Sequence, residues 1–192
     1  MTDYGFYASN KLSAPPRVIT SLLDSDIKWS TTGEYREAAK NHCASTLALN
    51  FFVLDAFRNG KVLAKEERDY YFEKVHGRIG DGPVAFLASK VKGLFQEEKG
   101  KTPVTRTLYH FQDMKDEILQ GNPVAFLLRV GLFNWHWVMA TGIAEVQGHN
   151  GSEAYVQIVD NWNPDPRYSK MNEKRKLWSM TSYHFPRNKE YV

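Results

Sequence analysis

Apolar residues recur at helical spacing from residue 41 onward. The periodicity predicts a first helix that starts near Asn41 and ends before a stop signal at Asn59 and Gly60. Its buried face is formed by side chains three and four positions apart: Leu47, Ala48, Phe51, Phe52 and Leu54. This helix is the first element that the pattern defines, and residues 1–40 read as an irregular lead-in.

Three more helices are predicted before residue 121. The second covers residues 64–76, and the fourth covers residues 113–120 and ends at a glycine. The third is expected to begin at Pro83, because proline is favoured at the first helical position, and to stop near Gly100. Residues 41–120 are therefore predicted to be mainly helical.

After residue 121 the pattern changes from helix to strand. A near-continuous apolar run at 123–130 is followed by strand candidates at 137–146, 154–160 and 176–185. Helices come first and strands follow, which favours an α+β fold with the helices on one side of an antiparallel sheet. A chain of 192 residues is expected to form one domain.

Composition narrows the function classes. The net charge of +3 comes from positive residues interleaved with acidic ones, and no nucleic-acid motif accompanies them, so no nucleic-acid partner is predicted. The apolar runs are too short to cross a bilayer, no leader pattern precedes them, and a single cysteine cannot form an internal disulfide. We expect a cytoplasmic protein with no membrane partner, and the sequence leaves its oligomeric state open.

The only cysteine, Cys43, has two interpretations. Asn41 is a plausible N-cap, which would place Cys43 in the first turn of the first helix, where the helix dipole favours a thiolate. A lone cysteine beside an apolar helix face is also commonly an inert core residue. The choice depends on whether the rest of the chain supplies a base.

A histidine and an aspartate downstream could complete a nucleophilic site. A thiol nucleophile needs an imidazole base, and the imidazole needs a third group to orient it. His136 enters one predicted strand and Asp160 ends the next, so a hairpin centred on Gly148 would place them opposite each other. A two-residue turn at 150–151 would instead pair Asp160 with Thr141.

No cofactor is predicted. No pair of histidines has metal-ligand spacing, and one cysteine cannot build a thiolate zinc site. The glycine-rich motifs that bind nucleotide phosphates do not occur in the sequence.

Four motifs in order resemble the papain-like cysteine peptidases, and most closely the bacteriocin-processing type called peptidase family thirty-nine. They are NHCASTLALNFF at 41–52, ILQGNPVAFLL at 118–128, WHWVMATGI at 135–143 and VDNW at 159–162. The resemblance implies a papain-like fold and cleavage of a peptide or acyl-amide substrate through a covalent acyl-enzyme. It further implies that Cys43 is the nucleophile, His136 the general base and Asp160 the group that orients the imidazole.

The resemblance also marks two departures. The family's oxyanion glutamine lies six residues before the cysteine, and this chain has Glu37 there. An ionised carboxylate cannot donate a hydrogen bond, so other residues are candidates for the oxyanion site or the groove: Asn41, His42, Asn161 and Trp162. The second departure is Ala44, where many relatives have glycine.

Two alternatives to a peptidase follow from these departures. The segment HCAST at 42–46 also resembles the butirosin-biosynthesis type of acyltransferase, which uses the same fold and thiolate attack. The other alternative is a binding module without catalysis, in which aromatic residues line a peptide-binding or packing surface: Phe133, Trp135, Trp137 and Trp162.

Overall fold

The computed structural model describes residues 6–22, 27–37, 41–129, 134–148, 151–170 and 177–186. This part of the chain contains four α-helices: α1 (Cys43–Arg58), α2 (Lys65–Ile79), α3 (Leu87–Lys99) and α4 (Phe111–Leu119). All four correspond to predicted helices, and the bounds of α1, α2 and α4 lie within three residues of the prediction.

The predicted start of α3 at Pro83 is wrong. Phe86 directly precedes the helix with φ at 56°, in the left-handed region, so the right-handed helix cannot run back through it. The segment before Phe86 is bonded to the residues that precede α1, because the Gly82 N–H donates to the Asn41 carbonyl at 2.6 Å. The segment between α2 and α3 is thereby drawn over the beginning of α1.

The start of α1 confirms the position of Cys43 and corrects the cap. Cys43 is the first helical residue, and the residue before it is His42, whose side chain makes no capping bond. Asn41 is one residue too early for the cap and has φ at 51°. The His42 carbonyl accepts from the Thr46 N–H at 2.9 Å and from its hydroxyl at 3.1 Å.

In the described ranges seven strands form one antiparallel sheet in the order β2-β7-β3-β4-β5-β6, with β1 paired to β4. They are β1 (Arg17–Ser21), β2 (Val104–Leu108), β3 (Val124–Arg129), β4 (Trp135–Gly148), β5 (Gly151–Val159), β6 (Arg167–Lys170) and β7 (Leu177–His184). The sequence pattern missed β1, β2 and β6. β1 and β2 are mostly exposed, so they lack the apolar alternation that marks a strand in a sequence.

The predicted opposition of His136 and Asp160 across the β4–β5 hairpin is wrong. Gly148 is the last residue of β4 rather than the centre of the turn, and β5 ends at Val159, opposite Met139. A bulge in β4 between residues 140 and 142 shifts the register by one residue. His136 therefore extends beyond the end of β5, and Asp160 follows β5 in the next loop.

Helices cover both faces of the sheet, not one as predicted. Alternate residues of β3 belong to different cores: Ala125 and Leu127 pack with α1 to α3, while Phe126 and Leu128 pack with α4. Five of the six β3 residues are buried. A strand that is apolar at every position needs cover on both faces, and α4 provides the second.

The helix that carries Cys43 is buried on all sides. Every residue from Cys43 to Ala56 is buried, and Phe52 stacks on Phe95 with ring centroids 4.1 Å apart. Burying a large apolar side chain contributes about 1.5–3 kcal/mol, so α1 is held firmly against the sheet. No helix in the described ranges combines the length and hydropathy needed to cross a bilayer.

Candidate active site

The sulfur of Cys43 lies in a pocket of backbone donors at the start of α1. The backbone N–H groups of Trp137, Ala44 and Cys43 lie close enough to lower the pKa of the thiol, and the Gly82 carbonyl lies 4.0 Å away as an acceptor for the thiol. Only 2% of Cys43 is exposed. The site therefore combines the amino end of a helix with the beginning of β4, under cover of the α2–α3 segment.

Burial governs the ionisation of this thiol. The three N–H groups lower the pKa of Cys43, as expected at a helix amino terminus, but desolvation raises it by more. The net effect is a pKa above the ordinary value. With the site closed, Cys43 is a neutral thiol at neutral pH rather than the thiolate that its helix position alone favours.

His136 is a buried, neutral imidazole with a defined tautomer. Its Nε2 lies 2.6 Å from the backbone carbonyl oxygen of Asp160. A carbonyl only accepts, so we assign the ring proton to Nε2, which leaves Nδ1 as the acceptor. Desolvation lowers the pKa of His136 to about 4, against a smaller upward effect of the bond to Asp160. The ring is thus available as a base.

The Asp160 carboxylate does not contact the imidazole; the group that holds His136 is the Asp160 peptide carbonyl. The carboxylate oxygens accept from the N–H groups of Trp162 and Asn163 at 3.0 and 2.9 Å, and from the Asn163 side-chain amide at 2.7 Å. These are the bonds of a turn. Burial raises the pKa of Asp160, while these hydrogen bonds oppose the increase.

Trp162 covers the imidazole from the outside. Its ring stacks on His136 with centroids 3.7 Å apart and an interplanar angle of 14°. The ring of Phe6 lies next to that of Trp162, with the two ring centroids 6.0 Å apart. The aromatic cover keeps water from one face of the ring and so contributes to the burial that lowers the pKa of His136.

Trp137, the residue after His136 on β4, brings a backbone N–H near the thiol. This N–H lies close enough to the Cys43 sulfur to lower the pKa of Cys43. Within the described residues no hydrogen bond joins the sulfur to the imidazole ring itself. The His136 side chain alternates with those of Trp135 and Trp137, which pack on the α1 face with Cys43, so the imidazole lies on the α4 face of β4, stacked on Trp162.

Asn161 is the residue whose role the sequence predicted least well. The sequence names it only as a candidate for the oxyanion site or the groove, and the structure places it fully buried with φ at 61°. Its Nδ2 donates to the Trp137 carbonyl at 2.9 Å, and its Oδ1 accepts from Asn50 at 2.9 Å. Asn50 lies on α1 and was missed; a polar residue in the middle of an apolar helix face was the signal that could have identified it.

The other candidate oxyanion residues point elsewhere. Glu37 and Asn41 are exposed, and the His42 Nε2 lies 3.1 Å from the Thr32 carbonyl. Of the predicted aromatic lining, Trp137 belongs to the core on the α1 face and Trp135 packs against it. Phe133 lies outside the described residues. The donors near the sulfur are therefore backbone N–H groups.

A metal site is not evident where the structure is described: no three His, Cys, Asp or Glu side chains there are grouped as metal ligands. No protein-family model matches the sequence, and the search of curated proteins found no significant match. The α+β fold and the geometry of the site are thus the basis for inferring function.

Proposed function

We propose that this chain is a papain-like thiol enzyme, a cysteine peptidase or amidase that forms an acyl-enzyme on Cys43. One observation carries the proposal: the backbone N–H of Trp137, the residue after His136, lies close enough to the thiol at the start of α1 to lower the pKa of Cys43. His136 itself is held in one tautomer on Asp160 and covered by Trp162.

The chemistry begins from a neutral thiol and a neutral imidazole. The proposed reaction requires the imidazole to reach the sulfur, because in the described state it lies on the α4 face of β4. The thiol proton then passes to Nδ1 of His136, and the sulfur attacks the carbonyl carbon of the substrate. The backbone N–H of Cys43 is the donor that we assign to the developing oxyanion. The imidazolium then returns its proton to the leaving amine, and an acyl-thioester remains on Cys43 until water attacks it.

The substrate must first reach the thiol. Gly82 lies against the sulfur, and the neighbouring Gly80 carbonyl accepts from the Ser45 hydroxyl at 2.8 Å. The closed arrangement excludes a peptide, so substrate binding requires displacement of residues 80–82. We regard the described state as the resting form of the enzyme.

The acyl acceptor defines a second candidate function. An amine in place of water would make the same site an acyltransferase, and the segment HCAST at 42–46 favours testing this acceptor. A peptide or acyl-amide is the proposed donor in either case. The single thiol suits a reducing compartment, and we propose a cytoplasmic, single-domain protein.

The decisive experiment measures the pH dependence of Cys43 alkylation in the wild type, in His136→Ala and in the control His110→Ala, whose histidine is exposed. Displacement of residues 80–82 hydrates the thiol and relieves the desolvation that raises its pKa, so we expect a reactive component below pH 8 that His136→Ala removes and His110→Ala retains. Alkylation that rises only above the ordinary thiol pKa, with the same profile in all three proteins, would indicate a binding module without catalysis.

A trapping experiment then distinguishes the two enzyme classes. An activated acyl ester is used to load Cys43, and intact-protein mass spectrometry follows loss of the adduct. Discharge by water alone identifies the hydrolase, whereas discharge only after addition of an amine identifies the transferase. Cys43→Ser provides the control for acylation at other side chains.

A further inference from the structure

The orienting group of the site is a peptide, and a peptide needs to be held in place. The carbonyl that accepts from His136 belongs to the bond between Asp160 and Asn161, in a loop after the end of β5. A carbonyl in a free loop would rotate and allow either ring nitrogen to carry the proton. The fixed tautomer therefore requires something that anchors this peptide.

Asn161 is bonded to three separate segments of the chain. Its side chain bridges the Trp137 carbonyl on β4 and Asn50 on α1, and its own carbonyl accepts from the Thr32 N–H at 2.8 Å. Asn50 is in turn bonded to both backbone groups of Ser30, at 2.9 and 3.0 Å. Asn161, Asn50, Trp137 and Ser30 are buried, so the side-chain bonds of this bridge are protected from competition with water.

The backbone of Asn161 makes this arrangement possible. Its φ of 61° takes the chain out of the extended path immediately after Asp160. Asparagine tolerates the left-handed region better than other residues with a Cβ, whereas glycine, which also tolerates it, has no amide to anchor the loop. Asparagine is thus the residue that can both adopt this turn and bridge α1 to β4.

We infer that Asn161 is the positioning residue of the site: anchored by Asn50 and Trp137, it holds the Asp160 carbonyl on Nε2 of His136. The third member of the site is then a backbone carbonyl held by an amide bridge, and not the Asp160 carboxylate. This inference depends on the proposed function only for its catalytic consequence, because the tautomer of His136 can be measured directly.

The same bridge sets the position of the thiol. Asn50 lies on the helix that begins at Cys43, and the backbone N–H of Trp137 lies close enough to the sulfur to lower the pKa of Cys43. Asn161 therefore joins the helix that carries the nucleophile to the strand that carries the base. Loss of the bridge is expected to affect the relative placement of both groups.

The test compares substitutions at the two neighbouring positions by ¹⁵N NMR of the histidine ring. We expect Asp160→Asn to keep Nε2 as the protonated nitrogen, because the peptide carbonyl is unchanged. Asn161→Gly keeps the backbone conformation but loses both side-chain anchors, and Asn161→Asp keeps the Oδ1 acceptor but loses the donor to Trp137. Both are expected to lose the single-tautomer signal of His136.

Two results would overturn the inference. One is loss of the tautomer in Asp160→Asn, which would assign the orienting role to the carboxylate even if the Asn161 variants do not fold. The other is an unchanged tautomer in both folded Asn161 variants. A fixed tautomer without His136-dependent reactivity of Cys43 would leave the positioning role intact and refute the proposed function alone.

Discussion

Trp162 lies flat against the imidazole of His136, 3.7 Å between ring centroids, while the Asp160 carboxylate binds the backbone N–H of the same tryptophan. Asp160 therefore acts on His136 through two of its groups, although its carboxylate makes no hydrogen bond to the imidazole. Its carbonyl holds Nε2, and its side chain shapes the turn that carries the aromatic cover.

The aromatic cover predicts the effect of replacing Trp162. In Trp162→Ala one face of the imidazole becomes hydrated, so the pKa of His136 should rise from about 4 towards its ordinary value of 6.5. Trp162→Phe retains a stacking ring and should change the pKa much less. The NMR titration of the His136 ring protons measures both, and an unchanged pKa in Trp162→Ala would show that other side chains exclude the water.

The buried histidine also predicts how stability depends on pH. His136 has a folded pKa of about 4 against 6.5 when exposed, so the unfolded chain binds more protons between these values and stability falls as the pH is lowered from 6.5 to 4. The difference corresponds to about 3 kcal/mol in the free energy of unfolding. The pKa of Asp160 is raised in the folded protein, so its contribution to stability increases as the pH is lowered.

Urea unfolding at a series of pH values separates the two groups. The difference between the wild-type profile and that of His136→Ala isolates the histidine contribution, which should be lost between pH 6.5 and 4. Parallel profiles for the two proteins across this window would contradict the burial of a neutral imidazole.

Residues 80–82 cover the sulfur of Cys43, so we expect the displacement of this segment to limit the rate of Cys43 alkylation. Ser45→Ala removes the hydroxyl bond to the Gly80 carbonyl, which contributes about 1 kcal/mol, and should speed alkylation of the native protein roughly fivefold. Ser89→Ala is the matched control, because it removes an exposed hydroxyl bond to the Phe86 carbonyl beyond the cover. Equal rates in the wild type and Ser45→Ala would mean that the reagent reaches the sulfur by another route.

We predict that a side chain at position 142 disrupts the pairing of β1 with β4. A Cβ at this position would lie 2.8 Å from the Thr20 carbonyl of β1 and would also meet the Gln157 side chain. Because the Thr20 contact is with backbone, Gly142→Ala should separate β1 from β4 and lower the stability by about 1–3 kcal/mol. Hydrogen exchange should show loss of protection in β1, and Gly148→Ala, whose nearest contact is 3.3 Å, is the milder comparison.

The elements that could be predicted from sequence are those whose own residues carry the signal. α1 and β3 are apolar on nearly every side, and their periodicity or continuity is visible without the fold. β1 and β2 are exposed strands that exist because β4 and β7 offer them an edge. A short strand of that kind has no pattern of its own.

The candidate site likewise has parts that could be predicted from the sequence and parts that could not. The position of Cys43 at a helix start and the choice of His136 follow from local patterns, and the order of motifs brings in the loop at Asp160. The sequence could not show that the orienting atom is a backbone carbonyl, since every residue has one. Nor could it show that Asn161 points inward, because that depends on its φ of 61° after β5 ends.

The sequence by itself therefore determined which segments become the central helix and the main strands, because apolar periodicity dictates which faces must leave water. Tertiary structure alone decided the ionisation and the partners of the site. Burial makes the Cys43 thiol and the His136 imidazole both neutral, and the bulge in β4 with the early end of β5 replaces a side-chain pair by a peptide carbonyl. Those effects depend on what surrounds a residue, and the surroundings come from segments that are far apart in the chain.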